Sequence, residues 1–95
     1  MTHDEFWRLY DSGEISVKVY SGKVGDTEKS VEAFEYGGKF FLRIHNSREY
    51  VTGTRAWGKR YRMTNESHVI KEFDSKRSAN AYFKKAAAGL VRVDI

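Results

Sequence analysis

The sequence predicts one α+β domain, built on a mainly antiparallel sheet of five or six strands. Several short runs alternate between apolar and polar residues, which is the pattern of half-buried strands. A 3.6-residue period appears only near the two ends of the chain, and 95 residues provide for a single hydrophobic core. We therefore expect one domain over residues 1–95, with a C-terminal helix packed on one face of the sheet and a short N-terminal helix at an edge.

The first element is a helix of at most two turns. Thr2 stands three residues before Glu5, which is the spacing of a capping box. Phe6, Leu9 and Tyr10 then recur at helical spacing and form one apolar stripe. This stripe predicts a helix that buries a single face.

A strand, a loop and a β-hairpin are predicted after this helix. Residues 15–20 alternate strictly, and turn-forming residues over 21–27 predict a loop that extends as far as Ser30. Two β-rich runs then flank Gly37-Gly38, and a two-residue turn needs positive φ at both of its central positions. We predict a β-hairpin around this glycine pair.

Pairing across that turn assigns three aromatic residues, Phe34, Tyr36 and Phe41, to one face of the hairpin. Val31 and Leu42 lie on the opposite face, which we expect to form the core. The aromatic trio is then either covered by a helix or exposed as a binding patch.

After the polar triplet at 45–47, three more strand-like runs follow at residues 50–57, 60–64 and 68–73, and turns are predicted between them at Gly58-Lys59 and at the polar triplet 65–67. These runs predict an antiparallel meander.

The end of the chain changes period. From Ser75 the apolar residues recur at helical spacing as far as Gly89, which predicts the C-terminal helix. Residues 90–95 alternate again and predict an edge strand, whether in the same chain or against a second copy.

Composition argues against catalysis. Cysteine is absent, so disulfides and thiol chemistry are excluded. His3, His45 and His68 fall in separate predicted elements without metal-ligand spacing, and no phosphate-loop or nucleophile-elbow motif occurs. We predict no enzyme activity, no metal and no cofactor.

No apolar run suits a membrane span and no signal peptide is evident, so the expected location is the cytoplasm.

The charge is polarised along the chain. Residues 1–47 contain six Lys and Arg against eight Asp and Glu, a net charge of −2, whereas residues 48–95 contain 11 against 5, a net charge of +6. Clustered cations favour polyanions because they displace the counterions of phosphates. A solvated basic face is the plainer alternative.

The basic residues of the second half are interleaved with aromatic residues along predicted strands. The candidate nucleic-acid contacts are Arg55, Trp57, Lys59, Arg60 and Arg62. In a strand, Arg60 and Arg62 point to the same side and can grip phosphates or guanine edges. Trp57 is either a stacking residue or a core aromatic.

Several short motifs follow one another between residues 50 and 88: Gly53-Thr54-Arg55, Trp57-Gly58-Lys59, Arg60-Tyr61-Arg62, Phe73-Asp74-Ser75, and a helix with Ala81-Tyr82 and Ala86-Ala87. This segment resembles the AP2-type DNA-binding domain and the arm-site DNA-binding domain of tyrosine integrases. Both have a three-stranded sheet packed on a C-terminal helix. The resemblance implies DNA binding through the sheet, with contacts from Arg55, Trp57, Lys59 and Arg62.

Two functions are therefore weighed. The first is a non-catalytic nucleic-acid-binding protein that binds duplex DNA through a basic sheet face. The alternative is a small phage-type or mobile-element module that docks on a host protein or nucleoprotein complex as an inhibitor. In that case Phe34, Tyr36 and Phe41 form the anchor, because aromatic clusters dominate interface hot spots.

Overall fold

A computed structural model describes residues 1–52 and 61–93, with the backbone alone at residues 50–52 and 61–63. The elements in chain order are α1 (His3–Ser12), β1 (Lys18–Val24), β2 (Thr27–Tyr36), β3 (Lys39–Thr52), β4 (Tyr61–Phe73), α2 (Lys76–Ala86) and β5 (Val91–Val93). The strands form one sheet in the order β4-β3-β2-β1-β5, and every neighbouring pair is antiparallel. The predicted α+β class and five-stranded sheet are confirmed.

One face of the sheet packs against α2, and we call it the α2 side. Val31, Leu42 and Ile44 are buried there together with Ala86 of the helix. Phe83 of the helix lies edge-on to Tyr20 of β1, with ring centroids 4.7 Å apart. The predicted core face and the C-terminal helix are therefore both confirmed.

The opposite face packs against α1, and we call it the α1 side. Phe6 and Leu9 of the helix are buried against Phe34 and Phe41 of the sheet. The expectation that the N-terminal helix lies at an edge is wrong. The aromatic pair offers the helix an apolar surface that an edge lacks, and burying this surface on both partners stabilises the fold.

A side-chain cap begins α1 as predicted. The Thr2 hydroxyl accepts a hydrogen bond from the Glu5 amide at 3.1 Å. The helix ends at Gly13, whose φ of 76° is in the left-handed region that glycine adopts without steric cost. Both ends of this helix are therefore fixed by local sequence.

Replacing Thr2 by alanine should lower the free energy of unfolding by about 1 kcal/mol, because the Glu5 amide loses its partner. Urea unfolding monitored by far-UV circular dichroism measures this change. Thr2→Ser keeps the hydroxyl and should unfold close to the wild type. Equal losses for both substitutions would contradict the capping role.

The first two strands have other bounds than the sequence predicted, since β1 begins at Lys18 rather than at residue 15. β1 continues to Val24 and β2 begins at Thr27, so that Gly25-Asp26 alone forms the turn between them. Gly25 has a φ of 61°, as a tight turn requires. The predicted long loop up to Ser30 is wrong, because the polar residues of this region pair with neighbouring strands of the sheet.

The two polar triplets that predicted turns are also strands. Residues 45–47 lie within β3 and residues 65–67 within β4, and Asn46 pairs with Ser67 in the antiparallel register. The Asn46 amide donates to the Ser67 hydroxyl at 3.4 Å. Each triplet therefore supplies polar partners for the other, and β3 and β4 pair as one long hairpin instead of being divided by turns at 45–47 and 65–67. The rest of the predicted meander, over residues 53–60, lies outside the described residues.

This hairpin extends beyond the rest of the sheet. The register of β2 against β3 ends at Thr27 and Arg48, whereas β3 and β4 remain paired as far as Thr52 and Tyr61. Residues 49–52 and 61–64 thus form a two-stranded segment, which we call the ribbon. Four residues per strand project it about 13 Å past β2.

The last described strand, β5, lies at the opposite margin of the sheet. β5 pairs with β1 over three residues, as the alternation near the C-terminus predicted. Among the described residues, no helix is long and apolar enough to cross a membrane.

Candidate functional site

Helix α2 carries a dense positive charge. Its eleven residues include four cations and no carboxylate, and the four are Lys76, Arg77, Lys84 and Lys85. All four are exposed, and none forms an ion pair with any carboxylate in residues 1–52 or 61–93. Because nothing described neutralises them, these side chains are available to an external anion.

The sheet adds cations on the same side. Strand alternation and register place five there: Lys18, Lys29, Arg48, Lys71 and Arg92. Among the described strands, Glu35 is the one carboxylate on this side. The ammonium group of Lys71 lies 4.9 Å from the ring centre of Tyr82 in α2, which holds this cation against the helix. The α2 side is therefore strongly cationic.

Carboxylates concentrate on the α1 side. The register places five of them there in the described strands, Glu28, Glu32, Glu49, Glu66 and Glu72, together with the cations Lys23, Lys39 and Arg43. Helix α1 adds Asp4, Glu5 and Asp11 against Arg8 alone. Positive and negative side chains are thus separated between the two sides of the sheet. This separation is more complete than the one between the two halves of the sequence.

Two of the α1-side cations are paired with carboxylates. The Lys39 ammonium lies 3.1 Å from Glu72 and 3.9 Å from Asp74. The pKa of Lys39 is raised because Glu72 accepts its hydrogen bond, and the charges of Glu72 and Asp74 add to the effect. A raised pKa stabilises the fold below the ordinary lysine value, and this contribution is lost as the pH rises above it.

The second pair is buried beneath α1. Arg43 is 7% exposed, and its guanidinium donates to a Glu32 carboxylate oxygen at 2.6 Å. The same guanidinium lies 5.0 Å from the ring centre of Phe6 and 5.1 Å from that of Trp7. This arginine joins the sheet to α1 and is not available to a ligand.

The cations of the α2 side continue along the sheet toward the ribbon. Ala79 of α2 lies near Phe40, whereas Ala86 packs with Ile44 farther along β3, so the helix runs in the direction of the ribbon. Beyond its end, the register places Lys29 and Arg48 on the same side. A shallow depression of about 370 Å³ lies there, lined by Thr27, Asn46, Arg48, Asn65, Glu66 and Ser67. The hydroxyl, amide and guanidinium groups of this lining are of the kind that bind phosphate oxygens, whereas the Glu66 carboxylate beside them repels phosphate.

Four of the five predicted nucleic-acid contacts, Arg55, Trp57, Lys59 and Arg60, lie outside the described residues. Arg62 belongs to the ribbon, where its backbone pairs with Val51. The sequence therefore assigns these contacts to the ribbon and to the segment that joins its two strands.

The aromatic trio of the alternative function is mostly covered. Phe34 and Phe41 are each 5% exposed, and their rings stack with centroids 5.1 Å apart beneath α1. Tyr36 is 42% exposed. Of the two possibilities left open by the sequence, coverage by a helix is the one found for Phe34 and Phe41, so these two side chains cannot anchor a partner on the folded surface.

The structure also brings together residues that the sequence seemed to separate. His45 and His68 face each other across β3 and β4, and their rings stack 4.3 Å apart. The Glu66 carboxylate lies 3.8 Å from Nε2 of His68, and His3 at the start of α1 lies edge-on to His68, with ring centroids 5.6 Å apart. The expectation that the histidines occupy unrelated places is wrong. The correct strand pairing would have revealed this cluster.

Comparison of the chain with protein-family models, with curated proteins and with solved structures finds no match. The resemblance of residues 50–88 to AP2-type and integrase arm-site domains stays a prediction.

Proposed function

We propose that this protein binds duplex DNA without catalysis, through its α2 side and its ribbon. The observation that carries the proposal is the separation of charge across the sheet. The exposed cations of α2 face no described carboxylate partner, and the carboxylates lie mainly on the other side. A polyanion would therefore meet an attractive surface on one side of the molecule and a repulsive surface on the other.

The first turn of α2 supports the same proposal. Lys76 and Arg77 lie at the helix N-terminus, where the helix dipole disfavours cations. Ser75 caps the helix by accepting a hydrogen bond from the Ser78 amide at 3.2 Å, so the first turn is well formed despite the unfavourable charges. A bound phosphate would interact favourably with both the cations and the dipole.

The ribbon supplies a shape that suits a groove. Neighbouring strands lie about 4.8 Å apart, and the major groove of B-DNA is about 12 Å wide, which admits a two-stranded ribbon. Residues 48–64 contain five cations, Arg48, Arg55, Lys59, Arg60 and Arg62, against Glu49 alone. With the cations of α2 on the backbone and the ribbon in a groove, the two parts would contact one duplex.

Salt dependence tests this proposal. If four to six phosphates are neutralised, the log-log slope of affinity against salt should be about −4 to −5. Fluorescence anisotropy with a labelled random duplex measures the slope. The double variant Lys84→Ala/Lys85→Ala should make it shallower by about 2, because each phosphate-binding lysine contributes about 1. Arg60→Ala/Arg62→Ala tests the ribbon and the segment that joins its two strands in the same assay.

A matched control removes the same charge from the other side. Lys23→Ala/Lys39→Ala also lowers the net charge by two, but both lysines lie on the α1 side. We expect this variant to bind nearly as the wild type does. Equal weakening by both double variants would show that net charge alone drives binding, and binding that is absent or independent of salt would refute the proposal.

The alternative, a phage-type or mobile-element protein-interaction module, has less support because two of its three anchor residues are buried. Tyr36→Ala is the informative variant for it, since Tyr36 is exposed and its loss should leave the fold intact. DNA binding that survives Tyr36→Ala and fails in the α2 and ribbon variants supports the first function over the second.

A further inference from the structure

The geometry points to a binding site for one divalent transition-metal ion, of the zinc class, formed by His45, His68 and Glu66 on the α1 side. Each of the three offers a ligand atom, and these atoms all lie within 4.8 Å of one another. Two imidazole nitrogens and one carboxylate oxygen are a ligand set that Zn²⁺ uses in proteins, with the fourth position left to water. The exposed cations of α2, which belong to the proposed DNA-binding surface, lie on the other side of the sheet.

The backbone fixes the three positions. His45 and His68 are direct partners in the register of β3 and β4, and opposed residues have their Cβ atoms about 5 Å apart. Glu66 lies two residues from His68 along β4, so strand alternation places its side chain on the same side. Two paired strands of an extensively paired hairpin therefore hold all three ligands.

The ligand atoms must move closer together to coordinate an ion. Tetrahedral ligands about 2.1 Å from Zn²⁺ lie roughly 3.4 Å from one another. The stacked rings of His45 and His68 must turn so that their lone pairs converge on the ion. The side chains of His68 and Glu66 are 40% and 52% exposed, so both have room to rotate toward His45.

His45 gives an independent reason to expect a ligand. Its Nε2 atom is buried and has no hydrogen-bond partner. A buried polar atom without a partner is costly, and the exceptions in native proteins call for an explanation such as a missing ion. Coordination by Nε2 of His45 would remove this penalty.

The surroundings of His45 admit water. A shallow depression of about 330 Å³ adjoins His45 and is lined largely by polar residues, among them Ser30, Ser47, Glu28, Lys23 and Lys29. Together with Glu66, Glu28 contributes to the excess of carboxylates on this side. The depression gives the ion a route from solvent and leaves space for a water ligand.

The test uses the full chain, freed of metal with a chelator, and ZnCl₂ as the probe. Isothermal titration calorimetry should show saturable binding of one Zn²⁺ per chain. His45→Gln and His68→Gln should each weaken binding at least tenfold, because the loss of even an outer-shell partner costs 10–100-fold. Circular dichroism spectra of the metal-free variants establish that each one folds.

Two variants serve as matched controls. Glu72→Gln removes a carboxylate from the same strand and the same side, and His3→Gln removes the neighbouring imidazole that is not among the three ligands. Both should bind Zn²⁺ within about threefold of the wild type, whereas Glu66→Gln should bind more weakly than either. Absence of saturable binding would overturn the inference, as would binding that survives loss of both His45 and His68.

Discussion

Replacing Glu32 by alanine should lower the free energy of unfolding by about 3–5 kcal/mol, because Arg43 is left as a buried charge without a partner. The Arg43 guanidinium already has one buried nitrogen, Nε, without a hydrogen bond, and Glu32 is its one carboxylate partner among the described residues. Urea unfolding measured by tryptophan fluorescence gives the change, and Trp7 beside the guanidinium is a local reporter.

The control for this effect is Glu28→Ala, which removes an exposed carboxylate from the same strand and the same side. We expect it to change the stability by no more than about 0.5 kcal/mol. The double variant Glu32→Leu/Arg43→Met replaces the whole pair by apolar groups and should recover most or all of the loss. A Glu32→Ala variant as stable as Glu28→Ala would show that the buried pair contributes little.

Replacing Phe6 by alanine should cost about 3–5 kcal/mol, since this side chain is completely buried. Its ring packs against Phe34 at 5.2 Å and lies under the Arg43 guanidinium. Without it, α1 loses its main contact with the sheet, and the stacked pair of Phe34 and Phe41 becomes accessible. Thermal unfolding and the fluorescence of a hydrophobic dye report these two consequences.

Tyr10→Ala is the matched control for that substitution. Tyr10 belongs to the same helix and stacks on Phe6 with centroids 6.1 Å apart, but it is 42% exposed. We expect a smaller loss of stability and no increase in dye binding. If Phe6→Ala leaves the dye signal unchanged, α1 is not what covers the aromatic pair.

Much of the fold could be predicted because several local patterns are unambiguous. The Gly37-Gly38 turn fixed the pairing of β2 and β3, and the observed register of Phe34 with Phe41 is the predicted one. The helical period after Ser75 located α2, and alternation near the C-terminus located β5. In each of these elements, local conformation and the apolar pattern favour the same structure.

The long hairpin could not be predicted in the same way. Its polar triplets at 45–47 and 65–67 have the composition of turns, and only their partner across the ladder makes an extended conformation favourable. Strand propensity depends on such context. The division into separate strands also hid the histidine cluster, because His45 and His68 become neighbours only when β3 and β4 pair continuously.

The sequence reveals only part of the charge separation between the two sides of the sheet. Sequence position separates an acidic half from a basic half, but the position of a charge relative to the sheet depends on register and on which helix covers which face. Lys18 and Lys29 belong to the acidic half of the chain, and the register nevertheless places them on the α2 side. The surface therefore could not be assembled from the sequence alone.

The outermost strand β4 has consequences for the behaviour of the protein at high concentration. It presents thirteen residues at the margin of the sheet, with β3 as its one partner among the described strands. The unpaired backbone groups of such an edge strand can bind strands of other molecules, which leads to aggregation. This strand contains three charged residues, Glu66, Lys71 and Glu72. A strand of another molecule that paired with it would have to remove water from these charges. Concentrated solutions should therefore stay clear as long as these charges are retained.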